Sequence, residues 1–406
     1  KGLLPLATST SIKGLVTFFN SPALVIGANS LAEGFMPQPS IIDIFNTRCL
    51  TKRSFFVTDE FSERFALKAS RVLDGAGFTT FIWNKALPEA PIDNVKECAA
   101  EMIRFEPDMV FAVGGGSVID ATKFIAAAIP YKFGDPWNIL AKGMPVASAV
   151  PLGTVLTLPA TGSEMNKNSV LSRKSTDEKL SFASPLVFPK FSFLLPDAAG
   201  TLPKRQVANG IVDAFVHVIE QYLTYPVNAP IQDRFAEAIL ITLIEEGPKV
   251  YANPADYEAM SNLVWSATMA LNGLIQCGVP GDWSVHSIGH ELTALHGIDH
   301  ARTLAIVLPG LWKALLEEKK NKLVQYGERV WNITEGSDDE RALKAIDLTV
   351  EFFESLGVPT RLSSYNVKDD TIDKIVLRFE NRKWLELGDR GLTTPETTRK
   401  ALTLQL

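Results

Sequence analysis

The sequence has little cysteine, no excess of positive charge and no long hydrophobic run, and each absence excludes a class of protein. Cys49, Cys98 and Cys277 are the only cysteines among 406 residues. Their wide spacing and odd number argue against a disulfide framework or a CxxC metal or redox motif. Lys and Arg number 40 against 46 Asp and Glu, for a net charge of −6, so no basic surface for nucleic acid or an anionic membrane is predicted. We therefore expect a cytoplasmic protein whose partner is a small molecule.

The most apolar stretch, residues 147–160, is interrupted by Pro151 and Pro159. It is shorter than the roughly 20 residues that a membrane helix needs. The first residues lack the apolar core and cleavage pattern of a secretory signal peptide. At about 150 residues per domain the chain is long enough for two to three domains, and 46% hydrophobic residues are typical of a folded protein.

Short β-rich runs alternate with helical stretches in the first half of the chain. A β-α-β-α order of this kind predicts a parallel sheet with helices on both faces. The predicted strands are residues 54–58, 79–83 and 109–113, and the predicted helices between them are residues 60–75 and 93–106.

After Pro203 the composition changes to long helical periods with almost no β-branched runs. Prolines recur where helices would begin or end, so the second half is predicted to be all-helical. Ser337 and Glu340 have capping-box spacing before a stretch whose apolar residues recur at intervals of three and four. The predicted division is an α/β domain at residues 1–203 and a helical domain at residues 204–406.

A glycine-rich turn, Gly114, Gly115, Gly116 and Ser117, follows the third predicted strand and opens a predicted helix. Glycines let the backbone approach an anion closely, and a helix N terminus directs N–H groups at a phosphate. A dinucleotide pyrophosphate would fit such a turn, although a tight β–α turn without a ligand also explains the glycines. The usual GxGxxG fingerprint is incomplete, since Ile119 stands where Gly or Ala is required.

Asp59 ends the first predicted strand, and parallel sheets bind ligands beyond the carboxyl ends of their strands. A carboxylate there can accept both ribose hydroxyls of NAD and would repel the 2′-phosphate of NADP. The alternative is that Asp59 caps the following helix. A second stretch, residues 157–166, concentrates hydroxyl side chains around Gly162 and by itself predicts a surface turn.

A predicted helix at residues 209–222 is apolar on nearly every side, so it should be buried. Within it Asn209, Asp213 and His217 fall four residues apart and share one stripe. A buried carboxylate next to an imidazole is costly unless the two are paired or bind a cation. A solvated stripe or an internal Asp–His hydrogen bond would explain the same spacing.

Four of the five histidines lie between positions 286 and 300. His286 and His290 are one helical turn apart, and Gly297 should end that helix before another begins. One Asp with three His suits a divalent transition metal such as Fe²⁺ or Zn²⁺, and the absence of thiolates favours a catalytic metal. An HExxH zinc motif is excluded because Ala294 stands at the second histidine position.

Taken together, these motifs resemble the iron-dependent (group III) alcohol dehydrogenase family, and within it the butanol dehydrogenases and broad-range aldehyde reductases. The resemblance implies a dehydroquinate synthase-like fold with an N-terminal dinucleotide-binding domain and a C-terminal helical metal-binding domain. It implies NAD or NADP, Fe²⁺ or Zn²⁺, and a homodimer. The motifs that carry it are GGGSVID at residues 114–120, TLPATGSE at residues 157–164, Asp213 with His217, and His286, His290 and His300.

The resemblance also implies roles for individual residues. His290 would lie beside the nicotinamide, whereas His296 matches no ligand position and is expected to be structural. The aldehyde-reductase branch has a glycine- and serine-rich turn after its first strand. This sequence has Thr58, Asp59 and Glu60 there instead, and this replacement favours NAD. The implied metal ligands are Asp213, His217, His286 and His300, and the implied dinucleotide contacts are Gly115, Gly116, Ser117, Asp120, Thr157, Asn166 and Lys179.

The predicted activity is a metal-dependent, NAD(P)-linked interconversion of short- to medium-chain primary alcohols and aldehydes. Val279, Trp283, Leu292 and Leu295 flank His286 in the sequence, and these apolar residues favour an apolar substrate. A polyol dehydrogenase acting on glycerol or a diol, or a metal-dependent hydrolase, is the alternative. A polyhydroxy substrate would call for more polar residues around the metal.

Overall fold

A computed structural model describes residues 51–406 and, within the first 50 residues, the strands Gly14–Thr17 and Ala23–Ile26. The chain divides into two compact units. Cys98 is buried and Cys277 is exposed, and both are free thiols, whereas Cys49 lies outside the described residues. Among the helices that the structure describes, none has the length and apolarity needed to cross a membrane.

The first unit contains a seven-stranded sheet in the order β1-β2-β9-β6-β5-β3-β4. Neighbouring strands are parallel except for the antiparallel edge pair β1 and β2, which confirms the predicted parallel α/β sheet. A separate antiparallel hairpin pairs β7 with β8. The strands are β1 Gly14–Thr17, β2 Ala23–Ile26, β3 Arg53–Thr58, β4 Thr79–Trp83, β5 Met109–Gly114, β6 Leu152–Leu156, β7 Asn168–Arg173, β8 Glu178–Ala183 and β9 Phe191–Leu194.

The core of the first unit lies against the central strands. The strands β5 and β6 are buried along their whole length, as continuous apolar runs in parallel sheets usually are. Phe56 and Phe111 stack with ring centroids 5.0 Å apart, and Phe191 and Val155 join the same cluster. The helices of this unit are α1 Glu63–Gly75, α2 Ile92–Phe105, α3 Gly116–Ala128, α4 Asn138–Ala141 and α5 Pro196–Ala199.

The second unit is helical, as predicted. Gly297, at φ 66°, ends one helix, and His300 begins the next. Ser337 and Glu340 form the predicted capping box, each side chain bonded to the other residue's backbone N–H. The helices after residue 203 are α6 Lys204–Tyr222, α7 Pro230–Ala252, α8 Tyr257–Ala270, α9 Ser284–His296, α10 His300–Ala314, α11 Leu316–Trp331, α12 Asp338–Ser355, α13 Asp370–Arg382 and α14 Pro395–Thr403.

One segment departs from a single division of the chain at residue 203. The first unit comprises Lys1–Leu202 and Pro254–Thr268, and the second comprises Pro203–Asn253 and Met269–Leu406. The returning segment is tied to the first unit by a buried hydrogen bond of 2.6 Å from Thr268 Oγ1 to Glu164 Oε1. Most of α8 therefore belongs with the sheet, although its sequence is as helical as that of its neighbours.

Candidate active site

Ligand-type side chains from three helices of the second unit converge on one point. Asp213 and His217 lie one turn apart on α6, His286 lies on α9, and His300 begins α10. Potential ligand atoms of Asp213, His286 and His300 lie within 4.8 Å of one another. Asp213 Oδ1 is 3.8 Å from His217 Nε2 and 3.7 Å from His300 Nε2. The four implied metal ligands are thus brought together.

The Asp213 carboxylate is the most informative member of this cluster. Its Oδ1 atom is buried and accepts no hydrogen bond from any residue that the structure describes. Ligands of one shared ion each lie about 2.0–2.2 Å from it, so they stand slightly beyond hydrogen-bond distance from one another, as these atoms do. The burial of Asp213 and His217 excludes a solvated stripe, and their 3.8 Å separation is too long for a direct hydrogen bond.

A carboxylate that the sequence analysis missed lies behind His286. Glu220, on α6, is buried and accepts N–H groups from Val285 at 2.7 Å and from His286 at 3.2 Å. It also contacts the Nδ1 atom of His286. Burial raises the pKa of Glu220 well above its usual range, and the nearby Asp282 charge adds to the rise, while the backbone N–H groups oppose it. The feature of the sequence that could have identified Glu220 is a glutamate within an otherwise apolar predicted helix.

The remaining two histidines differ in position. The His290 ring lies 5.0 Å from the His300 ring and 6.3 Å from the His286 ring, measured between centroids, so it borders the cluster. His296 Nε2 is 2.9 Å from Thr371 Oγ1, and burial lowers its pKa. This bond gives His296 a structural contact to α13.

Of the four apolar residues predicted to face the substrate, only Trp283 is found against the ligand cluster. Trp283 stands against the cluster, with its ring 5.4 Å from that of His286 and 6.4 Å from that of His217. Leu292 is fully buried in the core and presents no surface, which corrects the prediction for this residue. Leu292 lies on the inward face of α9. The spacing of apolar residues along a helix does not by itself show whether one of them faces the core or the site. Val279 lines a separate cleft next to Tyr222 and Ile275, and Leu295 is partly exposed.

In the first unit, three loops follow neighbouring parallel strands. Asp59 follows β3, the glycine turn follows β5, and residues 157–166 follow β6. Because β6, β5 and β3 are adjacent and parallel, their carboxyl ends meet at one edge of the sheet, where such sheets bind ligands.

The glycine turn is packed tightly against the third of these loops. Gly115 caps α3, which begins at Gly116. A Cβ atom on Gly115 would lie 2.9 Å from Leu158 Cβ, and one on Gly116 would lie 2.4 Å from Thr161 Cγ2. Glycine is therefore required here by the protein's own packing, in addition to any approach of an anion to the helix N terminus.

Residues 157–166 are not the surface turn that their composition suggests. Ser163, Glu164 and Asn166 are buried. Asp120 Oδ1 accepts a 2.6 Å hydrogen bond from Ser163 Oγ, and Asp120 Oδ2 accepts the backbone N–H of Val170 at 2.9 Å. Internal hydrogen bonds replace the water that this polar stretch would otherwise require.

Lys123 is the centre of this network and was not identified from the sequence. It is fully buried on α3, and its Nζ donates to Ser163 Oγ at 2.8 Å, Asn166 Oδ1 at 3.0 Å and the Asn168 carbonyl at 2.8 Å. Burial lowers the pKa of Lys123 to about 8, while the charges of Asp120 and Glu164 oppose the change. Asp120 and Asn166, both implied dinucleotide contacts, thus also hold the scaffold.

The other implied dinucleotide contacts lie near the same edge. Asp59 Oδ1 accepts the backbone N–H of Ser62, the residue that precedes α1, at 2.7 Å, and burial raises the pKa of Asp59. Ser62 Oγ in turn lies 2.9 Å from Thr157 Oγ1. Two further implied dinucleotide-binding residues, Ser117 and Lys179, both contact Glu89. Ser117 Oγ accepts the backbone N–H of Glu89, and Lys179 forms an ion pair with the Glu89 carboxylate.

Comparison with known families and proteins gives matches over most of the chain. Residues 42–196 match the family described as iron-containing alcohol dehydrogenase. Residues 207–382 match the C-terminal part of the Fe-containing alcohol dehydrogenase family.

Individual proteins of this family also match most of the chain. The NADPH-dependent aldehyde reductase YqhD of Escherichia coli strain K12 is 52% identical over 337 residues, 82% of this chain and 85% of the relative. NADH-dependent butanol dehydrogenase A of Clostridium acetobutylicum is 40% identical over 268 residues, 66% of this chain and 69% of the relative. A crystal structure of E. coli YqhD matches with a TM-score of 0.88 and 43% identity, covering 97% of this chain and 100% of that one.

Proposed function

Because the chain belongs to the iron-containing alcohol dehydrogenase family, we propose that it interconverts short- to medium-chain primary alcohols and aldehydes. It is an NAD(P)-dependent oxidoreductase, since relatives such as the YqhD protein and butanol dehydrogenase A carry that class of activity in their names. The observation that carries the assignment in this chain is the buried Asp213 oxygen among imidazoles. A metal-dependent hydrolase does not need a dinucleotide. The sheet edge of the first unit, which is of the kind that binds dinucleotides, therefore argues against a hydrolase.

We propose Asp213, His217, His286 and His300 as the ligands of Fe²⁺, with Zn²⁺ as the alternative metal. The donor set of one carboxylate and three imidazoles suits either ion. When bound, the metal supplies Lewis-acid polarisation of the substrate oxygen, and the nicotinamide carries the hydride. In the reducing direction the carbonyl carbon gains a hydride and the oxygen gains a proton.

The chain's own residues orient and shield this chemistry. His290 borders the ligand cluster, and we assign it a place beside the nicotinamide. Trp283 places an apolar ring next to His217 and His286, and we assign it the role of limiting the access of water to that side of the cluster. The glycine turn with the N terminus of α3 is assigned to the dinucleotide pyrophosphate.

We further propose that NAD(H) is preferred over NADP(H). The relatives differ in this respect, because YqhD is named as NADPH-dependent and butanol dehydrogenase A as NADH-dependent. Asp59 Oδ1 is engaged by Ser62, and the charge of the carboxylate still lies at the end of β3, where a 2′-phosphate would be repelled. Dinucleotide contacts at Gly115, Gly116, Ser117, Asp120, Thr157, Asn166 and Lys179 belong to the same proposal.

A cytoplasmic homodimer completes the proposal. Closed two-fold dimers are the commonest soluble oligomers, and the two free thiols of the described chain, Cys98 and Cys277, suit a reducing compartment. Light scattering at several protein concentrations tests the dimer.

The activity is tested by following the absorbance of NADH or NADPH as purified protein, loaded with Fe²⁺ or Zn²⁺, meets butanal, glycerol or a carboxylic ester. Oxidation of the reduced cofactor by butanal, lost on chelation and restored by the metal, is the expected result. Faster turnover of glycerol with the oxidised cofactor would favour the polyol dehydrogenase. Ester cleavage without a cofactor would overturn the assignment.

A further inference from the structure

Glu220 touches two parts of one proposed ligand-bearing helix. Its carboxylate accepts the backbone N–H groups of Val285 and His286, in the first turn of α9. It also contacts the side-chain Nδ1 atom of His286. The side chain of Glu220 is only 2% exposed, so water does not compete for these contacts.

The first of these contacts caps the second and third residues of α9, while Asp282 Oδ1 accepts the N–H of its first residue, Ser284, at 3.0 Å. The N-cap residue of α9, Trp283, has a left-handed backbone (φ 61°), and its side chain makes no capping hydrogen bond. The first N–H groups of a helix need acceptors, and a negative charge is stabilising at that end. Glu220 supplies both from another helix, which fixes the start of α9 relative to α6, the helix that carries Asp213 and His217.

The second contact determines which imidazole nitrogen of His286 can be a ligand. Glu220 accepts backbone N–H groups through both of its oxygens. In its ionised form a carboxylate can only accept hydrogen bonds, so Nδ1 of His286 is then the donor toward Glu220. The proton on Nδ1 leaves Nε2 with the lone pair that a metal needs, and a ring nitrogen of His286 lies within 4.8 Å of ligand atoms of Asp213 and His300. A carboxylate behind a ligating histidine fixes the tautomer and ring orientation and raises the basicity of the ligand.

We propose that Glu220 is a positioning residue of the metal site: it holds the Nδ1 proton of His286 and the N terminus of α9, and thereby presents His286 Nε2 to the metal. This inference rests on the proposed function, since it takes His286 as a ligand. Glu220 itself does not touch the metal or the substrate.

The test compares zinc affinity, measured by competition with a chromophoric chelator, in wild type and two variants. Glu220→Gln keeps the shape but loses the charge and one acceptor, and we expect about 10- to 100-fold weaker binding. Glu237→Gln is the matched control, because Glu237 is equally buried and accepts Tyr222, Arg234 and Arg329 without contacting a proposed ligand. It should lower thermal stability and leave zinc affinity within about twofold of wild type.

A second measurement does not depend on a variant that folds. With only five histidines, ¹⁵N-histidine labelling of the metal-free wild type resolves the ring nitrogens, and Nδ1 of His286 should carry the proton. An unprotonated Nδ1, or equal zinc affinity in wild type and Glu220→Gln, overturns this inference alone. If His286→Ala binds zinc as tightly as wild type, the proposed metal site fails and this inference fails with it.

Discussion

Two buried polar centres, one in each unit, differ in how their hydrogen bonds are satisfied. In the first unit, Lys123 has acceptors for all three of its N–H donors, and both oxygens of Asp120 accept hydrogen bonds. In the second unit, the buried Asp213 Oδ1 accepts no hydrogen bond within the described chain and faces imidazoles instead. A satisfied network stabilises the segment that it joins, whereas an unsatisfied carboxylate among imidazoles is suited to a cation. Lys123, Asp120 and Asp213 are all buried, so it is the satisfaction of their hydrogen bonds that distinguishes this scaffold network from the candidate metal site.

The largest expected effect comes from breaking the second unit's cluster. We expect His217→Ala or His286→Ala to lose bound metal and to reduce kcat/KM by at least about a thousandfold, because too few donors remain to hold the ion and its Lewis-acid contribution is lost. The helical fold should survive. Metal analysis, cofactor oxidation rates and circular dichroism on the same samples check this.

His296→Ala is the control for that comparison, since His296 lies on the same helix as His286 but contacts Thr371. It should retain metal and activity. A His217→Ala protein that turns over at the wild-type rate without metal would refute the assignment of the cluster.

The matching change in the first unit is Lys123→Met, which should destabilise without emptying the metal site. Removing one partner of a buried ionic network typically costs about 3–5 kcal/mol, because the remaining charges stay buried. The midpoint of urea unfolding should fall accordingly, while the metal content of the folded protein should equal that of wild type.

Lys85→Met serves as the exposed control, since the Lys85–Glu97 pair lies at the surface. Its effect should stay within about 1 kcal/mol. Equal midpoints for Lys123→Met and Lys85→Met would mean that the buried network does not stabilise the unit.

A moderate effect is expected from substrate length. If Trp283 forms an apolar wall next to the ligand cluster, each added methylene of a linear aldehyde is worth about 0.8 kcal/mol. That amount corresponds to roughly fourfold in kcat/KM per carbon until the site is full. Trp283→Ala should flatten this slope. A flat series for wild type from ethanal to hexanal, or a preference for glycerol, would favour the polyol dehydrogenase.

The smallest expected effect concerns the cofactor. Asp59→Gly should shift the ratio of kcat/KM for NADPH over NADH upward by about fivefold, since a single charge pair near solvent is worth about 1 kcal/mol. Parallel kinetics with both cofactors measure the shift. If the NADPH-to-NADH ratio of kcat/KM is unchanged and the melting temperature falls, Asp59 has a structural role only, through its hydrogen bond to Ser62 before α1.

Much of the architecture was predictable because it follows from local pattern. The strand at residues 79–83, the helix end at Gly297 and the capping box at Ser337 depend on residues close in sequence, and the structure has all three. The Asp213/His217 spacing predicted a shared face of one helix in the same way. Family membership, fold class and the class of reaction are confirmed.

What the sequence analysis missed depends on contacts between distant segments. Glu220 and His286 are brought together by the packing of two helices, and Lys123 meets Asn166 only through the folding of a loop onto α3. Leu292 was misassigned for a related reason: a leucine at a helical interval has the same pattern whether it faces core or site. Pairwise tertiary contact, rather than periodicity, decides each of these cases.

The return of Pro254–Thr268 to the first unit also has a consequence for biosynthesis. A nascent chain grows at about 5–20 residues per second, so Thr268 is added seconds after Leu202 completes the sheet-bearing part. Throughout that interval the buried Glu164 lacks the hydroxyl that it bonds in the finished protein. The N-terminal unit can therefore complete this hydrogen bond only after α6 and α7 have been synthesised.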